Sequence, residues 1–557
     1  MGKIDPMRTL FLLLALFITS LALAQTAPGT YWVQFTDKNN TPYSLSQPEQ
    51  FLSARALERR QNQAIELDES DLPVDPVYIA AVLAQGDVQL VNRSKWFNAI
   101  TIRVTDVDVL LAIQGLSFVL NVRGTRSLSG GHADPEKFGS SGPLTGARGG
   151  GSGAYGPSFT QISMMNGQHL HAINAQGQGM LIGVLDSGFD KADSLLAFQP
   201  LRDRSGIVLT RDMVNHDGDV YDDHWHGRSV LSCMAGILDS QLLGTAPAAD
   251  YVLLRTEEVA SEYVVEEDNW VAGAELCDSL GCDVLNTSLG YTTFDDSLGY
   301  HTYADMDGAT TRISIAAGMA SQKGMIPVCS AGNSGSSEWH YIGAPADAID
   351  ILAVGAVGDV ENSAPFSSRG PSADGRVKPD VCAMGWGAIG LRFEGDSIAA
   401  INGTSFSSPI LAGLVACLWQ LHPGRTAQEI MAAVRESASF YSEPNDSLGY
   451  GVPDFLQAHE HLVMTTGIIA PDDAKGSVFP VPFSDHLEVV LPGVSGESSI
   501  ALFDPAGRLV WSRSGLSVTN GRLTISGSDL ATLVDGLYVL RVNGGERSFV
   551  RSVTKFR

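Results

Sequence analysis

Leu181-Ile-Gly-Val-Leu-Asp186-Ser-Gly188 is a short apolar run that stops at a carboxylate and turns on a glycine. An unbroken apolar stretch of this length, bounded by a turn, reads as a strand buried on both faces, the kind found in parallel sheets covered by helices. Similar runs recur at Tyr251 to Arg255, Val284 to Ser288, Ile326 to Ala331 and Ile351 to Val357. Helical stretches lie between them, such as Asn269 to Ser279 and Asp305 to Lys323. Residues 159–466 therefore read as an α/β domain, a parallel sheet flanked by helices. In such sheets function collects beyond the carboxyl ends of the strands. Asp186, Ser288 and Asn333 all fall at or just past such ends.

Two further segments supply the chemistry. His226-Gly227 opens a helical run to Gly236, and Gly403-Thr-Ser405-Phe-Ser-Ser-Pro409 opens an apolar helix, with Pro409 read as part of its first turn. A serine hydroxyl is a poor nucleophile until an imidazole takes its proton, and that imidazole needs a buried carboxylate to hold one tautomer. The chain supplies the three groups in the order Asp186, His226, Ser405. Asp, His, Ser is one of three unrelated orders in which this chemistry recurs.

At these segments the sequence resembles the subtilisin family of serine proteases. Phe366-Ser-Ser-Arg-Gly370-Pro371 and Lys378-Pro-Asp380-Val extend the resemblance, while Met384 stands where a proline is usual. The family's His-Gly-Thr-His-Val reads here with Arg228 and Ser229 in the middle, and Phe406 and Ser407 replace the usual Met-Ala. The resemblance implies a subtilisin-like fold and a secreted serine endopeptidase without a cofactor. Asp186, His226 and Ser405 would be its triad. Asn333, in Ala331-Gly-Asn333-Ser-Gly335, would join the Ser405 backbone N–H in an oxyanion hole. Ser288, Leu289 and Gly290 would line a cleft in which an extended protein or peptide substrate pairs with backbone. Two other readings stay open at this point: an inactive protease-like surface binding protein, and an esterase or transpeptidase using the same triad.

Outward from this domain, Lys3 and Arg8 precede an apolar run from Leu10 to Ala24 that ends Ala22-Leu23-Ala24, the pattern of a signal peptide over residues 1–24. Residues 25–130 alternate strand and helix patterns: Tyr31 to Phe35, a helix from Gln47 to Gln63 with Arg59 and Arg60, a helix from Asp75 to Ala84, a strand from Phe97 to Val104, a helix from Val107 to Gln114 and a strand from Phe118 to Val122. This small α+β pattern resembles subtilisin propeptides, which implies an inhibitor of the chain's own site. Residues 131–158, dense in Gly and Ser, read as a flexible linker. Residues 476–557 are short strands between turns, the pattern of a β-sandwich. Their expected strands are Leu487 to Leu491, Ser499 to Asp504, Leu509 to Ser512, Leu523 to Ile525, Gly536 to Val542 and Phe549 to Phe556. This segment resembles the C-terminal sorting domains of the bacterial type IX secretion route, although Val481 replaces the asparagine of the usual Pro-Asn-Pro. That implies a secretion machinery as partner, passage through the periplasm, and a secreted or cell-surface location.

A formal charge of −26 over 557 residues leaves no basic stripe for phosphates, so nucleic acid is excluded as a partner. Cys277 and Cys282 are close enough in sequence to bridge a tight loop, and Cys233, Cys329, Cys382 and Cys417 lie in apolar contexts as small buried hydrophobes. His224 and His226 with Asp222 and Asp223, or the oxygen-rich run from Asp212 to Asp223, could be read as cation ligands; a solvated loop is the preferred reading of the run, and no metal is assigned.

Overall fold

The computed structural model describes residues 29–127, 138, 140–142, 153–296, 299–392, 395, 397–465, 477–479, 483–490, 496–504, 508–518, 521–526, 530, 533–544 and 547–555. The expected signal peptide and much of the expected linker lie outside them. The chain divides into two compact units, residues 1–458 and 459–557.

The first unit begins with a four-stranded antiparallel sheet, β1 (Gly29–Phe35), β2 (Val88–Ser94), β3 (Ala99–Val104) and β4 (Val119–Ser127), in the order β2-β3-β1-β4. Helices α1 (Ala54–Asn62), α2 (Pro76–Leu83) and α3 (Val107–Gln114) accompany it. Tyr31, Val33, Ile100, Ile102, Leu110 and Ile113 form the core of this domain. The helix expected from Gln47 is split. A single 3-10 turn spans Pro48–Gln50, and α1 starts only after Ser53, whose hydroxyl caps it by accepting the Ala56 N–H.

The central sheet has seven strands: β6 (Leu181–Asp186), β7 (Ile207–Asp212), β8 (Asp250–Arg255), β9 (Val284–Thr287), β10 (Ile326–Ser330), β11 (Leu352–Val357) and β12 (Val381–Met384). All are parallel, in the order β12-β11-β10-β9-β6-β8-β7. β6, β9, β10 and β11 are buried along their whole length, as their apolar runs require. Helices α4 (His226–Ala235), α5 (Val265–Leu280), α6 (Arg312–Gln322) and α7 (Thr404–Leu421) pack around the sheet. The helix expected from Asp305 starts seven residues later, because the Thr311 hydroxyl caps α6 by accepting from Ser314 N. A second small antiparallel sheet joins β13 (Trp386–Leu391), β14 (Ile398–Asn402) and β5 (Ser140–Gly142), in the order β13-β14-β5. The linker is therefore not structureless throughout: it contains β5 and 3-10 turns over Gly153–Ser158.

The N-terminal domain lies on α5 and α6. Its α1 abuts the end of α5 so closely that a Cβ on Gly281 would sit 2.6 Å from Ala56 N; Gly281 also has φ +85°, the left-handed turn that ends α5. Around buried Asp278 stand Arg59 at 2.6 Å, Arg60 at 2.8 Å and Lys95 at 2.9 Å, all three from the N-terminal domain. These cations hold the Asp278 carboxyl down at about 2 against the cost of its burial. Nearby, buried Glu275 accepts hydrogen bonds from Ser94 Oγ (2.5 Å), Lys95 N (2.7 Å) and Trp96 N (3.1 Å).

The bridge that the spacing of Cys277 and Cys282 would permit is not formed. All six cysteines are free and buried. Cys282 N donates to Cys277 O at 2.9 Å across the turn at Gly281, and both thiols pack in the hydrophobic core beside α5. The hydrogen bond to Cys282 and burial push the Cys277 thiol well above its ordinary range.

The second unit has two antiparallel sheets. One orders β15 (Ser477–Phe479), β16 (His486–Val490) and β19 (Arg522–Ser526) as β15-β16-β19. The other orders β17 (Gly496–Phe503), β18 (Leu509–Val518), β20 (Gly536–Gly544) and β21 (Arg547–Lys555) as β18-β17-β20-β21. Leu487 and Ile525 from one sheet share a core with Ile500, Leu502, Leu540 and Val553 from the other, the arrangement of a β-sandwich. The strand expected to end at Ser512 runs on to Val518.

Candidate active site

β6 delivers Asp186 at its carboxyl end, fully buried, and Thr256 N, just beyond β8, donates to the Asp186 carbonyl at 2.9 Å. α4 begins at His226 and crosses directly over this point. The approach needs Gly227: a Cβ there would lie 2.3 Å from Gly188 O and 2.9 Å from Asp186 Cβ, so any side chain would lift the helix off the strand end. The result is a buried 2.7 Å contact between His226 Nδ1 and Asp186 Oδ1. Asp186 Oδ1 also accepts from Ser187 N at 2.7 Å. Such a contact leaves Nε2 as the ring nitrogen available for proton transfer. Among the described residues His226 Nε2 and Asp186 Oδ2 are buried with no hydrogen-bond partner.

Ser405 is the second residue of α7, where unpaired backbone N–H groups and the helix dipole favour negative charge. Its hydroxyl donates to Ser288 O at 3.2 Å, and the Ser288 hydroxyl donates back to Ser405 O at 2.8 Å. The second bond has a cause in sequence. Pro409 stands in the second turn of α7, not the first, and has no N–H to offer the carbonyl four residues earlier, which is that of Ser405. Ser288 satisfies this carbonyl instead and so ties the Ser405 backbone to the residue just past the end of β9. The Phe406 ring, next in the chain, lies 5.7 Å from that of His226. The structure thus brings Ser405 and Ser288 together, and Asp186 and His226 together. The Ser405 hydroxyl is turned to Ser288 and makes no hydrogen bond to His226 Nε2.

Asn333 follows β10. Its Oδ1 accepts from Thr404 N (2.9 Å) and Thr404 Oγ1 (3.1 Å), and Thr404 Oγ1 accepts from Gly332 N (3.1 Å). Its oxygen is thereby anchored to Thr404, the first residue of α7. Leu289 is buried and Gly290 exposed, directly after Ser288.

Four more residues shape the surroundings of the site; the sequence reading had noted Arg228 as a departure from the family pattern but assigned no contact to any of the four. Thr404 fixes Asn333. Ser187 Oγ donates to Asp186 Oδ1 (3.2 Å) and shares a 3.0 Å hydrogen bond with His224 Nδ1. The Phe138 ring, from the linker, lies tilted 4.4 Å from the His224 ring and 5.0 Å from the His226 ring. Arg228, where the family usually has threonine, is buried and pairs with Asp190 at 2.9 Å while donating to Arg392 O. Just after Phe138, β5 pairs with β14 (Ser140 opposite Asn402, Gly142 opposite Ala400), and β14 leads straight to Gly403. Two members of the acidic run, Asp212 and Asp223, both pair with Arg255 of β8, each at 3.1 Å.

Residues 177–451 match the Subtilase family, residues 30–138 the Peptidase S8 propeptide domain of Bacteroidota, and residues 477–555 a secretion system C-terminal sorting domain. Among curated relatives, Subtilisin E of Bacillus subtilis (strain 168) is 27% identical over 284 residues, covering 50% of this chain and 65% of its own length. Serine protease AprX of the same organism is 27% identical over 310 residues, covering 51% and 66%. Subtilisin of Bacillus pumilus is 28% identical over 284 residues, covering 50% and 90%. The chain thus spans just under two thirds of the first two relatives. Among solved structures, MycP1 from Mycobacterium smegmatis aligns with a TM-score of 0.44 at 20% identity, over 59% of this chain and 90% of that one. The sorting domain marks the chain for export, to the medium or the cell surface.

Proposed function

We propose that this chain, which carries a subtilase domain behind a subtilase propeptide domain and ahead of a secretion sorting domain, is a secreted serine endopeptidase. The observation that carries this reading is the buried 2.7 Å contact between Asp186 and His226, with Phe406, the neighbour of Ser405 at the start of α7, 5.7 Å from the His226 ring. Ser405 attacks the peptide carbonyl. His226 Nε2 takes its proton and then passes it to the leaving amine, while Asp186 orients the ring and stabilises its cation. The Ser405 N–H and the Asn333 side-chain amide hold the oxyanion, which is fully charged only in the tetrahedral state. Ser288, Leu289 and Gly290 line the cleft in which the peptide backbone pairs. Water then hydrolyses the acyl-enzyme.

In the same reading the N-terminal domain is the chain's own inhibitor. It is anchored to α5 through Asp278 and Glu275, and the segment behind it places Phe138 against His226. The C-terminal sandwich is the address read by a secretion machinery. An active-site serine probe followed by casein digestion tests the proposal. Labelling of Ser405 with casein cleavage is expected. No labelling supports an inactive binding protein, and labelling without peptide cleavage supports an esterase or transpeptidase. Deleting residues 476–557 is expected to leave peptide cleavage unchanged and to hold the protein in the periplasm; normal export of the truncated protein contradicts the address role.

A further inference from the structure

The hydrogen bonds of the relay do not end at Asp186. The loop that carries His224 lies against the turn after β6. Gly188 permits the approach: its backbone has φ +139°, and a Cβ there would stand 2.6 Å from His224 N. Asp190 N donates to His224 O at 3.1 Å and holds the loop in place. Between turn and loop stands the Ser187 hydroxyl, 3.2 Å from Asp186 Oδ1 and 3.0 Å from His224 Nδ1. A hydroxyl has one proton to give, and a carboxylate can only accept. When His224 Nδ1 carries a proton, the bonds run one way: Nδ1–H donates to Ser187 Oγ, and Oγ–H donates to Asp186 Oδ1. When Nδ1 is bare, it competes with Asp186 for that single proton. A protonated His224 carries hydrogen on both ring nitrogens and so always selects the first arrangement.

The same imidazole is a charge close to the one that matters. The Phe138 ring borders both His224 and His226, so the two imidazoles are near neighbours. The charged groups facing His224 are Asp186 through Ser187, Asp222 and Asp223 beside it in the chain, and Asp190 with Lys191 across the turn. Arg255 pairs with Asp223 at 3.1 Å, Arg228 with Asp190 at 2.9 Å, and Lys191 lies 3.9 Å from Asp190. Acids outnumber cations in this set, which favours a cation on His224. A cation there opposes a second one on His226. His226 has to be neutral to take a proton from Ser405, so the neighbour keeps the relay competent to lower pH.

We propose that His224 is a positioning residue for the hydrolysis, which through Ser187 directs a hydrogen bond onto the Asp186 carboxylate and, as a cation, opposes the charge that His226 acquires. The proposal rests on the endopeptidase reading above and adds a residue to the same site.

The test is the pH dependence of kcat and kcat/KM for peptide cleavage at low ionic strength, with wild type, His224→Gln and His224→Phe recovered after full-length expression. Glutamine can still hydrogen-bond Ser187 but carries no charge. In His224→Gln the midpoint of the acid limb is expected to move up by at least about 0.3 pH unit, the effect of one unit charge about 10 Å away even in water's dielectric. In 1 M salt, where charges are screened beyond about 3 Å, that shift is expected to shrink. Asp223, whose carboxyl burial raises to about 6, titrates in the same range, but it is intact in both variants. His224→Phe also removes the bond to Ser187, and is expected to lower kcat on the alkaline plateau by a further factor of about 2–10, the ratio one neutral hydrogen bond gives. An acid limb of His224→Gln that coincides with that of the wild type overturns the proposal. So does an effect confined to KM, which makes His224 a wall of the substrate cleft. The wild type decides even where a variant fails to fold: the proton between His226 Nδ1 and Asp186 gives a far-downfield proton resonance, expected to titrate in two steps. A single step in an enzyme that cuts peptides sinks the role of His224 alone. If no peptide is cut and Ser405 takes no serine probe, the endopeptidase reading fails and the positioning role falls with it.

Discussion

Asp186 and Asp278 are both fully buried aspartates of the same domain, and their surroundings are opposite. Asp278 is surrounded by Arg59, Arg60 and Lys95. Asp186 has one imidazole and two contacts from Ser187, and its Oδ2, like His226 Nε2, finds no hydrogen-bond partner among the described residues. A buried charge with every oxygen paired is a structural anchor. In the proposed mechanism the capacity left over in the Asp186–His226 pair is what the substrate and the proton moved by His226 would use. The clasp holds the N-terminal domain on α5, and the relay waits at the end of β6.

Substituting each aspartate separates the two roles. Asp186→Asn is expected to lower kcat by about 10⁴ with little change in Tm, since shape is kept and the tautomer is lost. Asp278→Asn is expected to do the reverse. It leaves the three cations underpaired, weakens the hold of the N-terminal domain by about 3–5 kcal/mol, and leaves the processed enzyme's turnover unchanged. Thermal unfolding of the full chain and steady-state kinetics of the processed enzyme check both. Equal effects of the two substitutions on turnover would erase the distinction.

A smaller effect comes from Glu275, beside the clasp. Burial raises its carboxyl from the ordinary 4.5 to about 7. A carboxyl with a raised folded value takes up a proton more readily when the N-terminal domain covers it. Its contribution to that contact is fully present below about 4.5 and is lost as pH rises through about 7. Asp268, raised to about 6 by burial, acts in the same direction, whereas Asp278, held at about 2, stays charged throughout this window. Release of the N-terminal domain is therefore expected to be faster at pH 8 than at pH 5, and Glu275→Gln to flatten the dependence. A pH-independent release rate in the native chain would remove Glu275 from the account.

The relay was far more legible in the sequence than the clasp. Asp186, His226 and Ser405 each sit in a local frame a few residues long, with an apolar strand or a helix start and a glycine beside it. The strands β6, β8, β9, β10 and β11 were readable for the same reason, as continuous apolar runs. β2, with sequence Val-Gln-Leu-Val-Asn-Arg-Ser, buries few of its residues and carries no clear alternation, so it was missed. The clasp joins residues 183 to 219 positions apart, and no local pattern announces that. One signal was available: Asp278 lies in the last turn of α5, where the helix dipole disfavours an anion, so a cation from elsewhere is required. The turn position of Pro409 and the thiols of Cys277 and Cys282 depended on where a helix begins and how a turn packs, which spacing alone does not decide.

The most direct test of the central claim is peptide hydrolysis by Ser405→Ala beside the wild type, both expressed as the full chain, with folding followed by circular dichroism. The account predicts a correctly folded variant whose turnover falls by about 10⁶, the scale known for the nucleophile of subtilisin. A folded Ser405→Ala protein that cleaves peptides at a rate comparable to the wild type would contradict it.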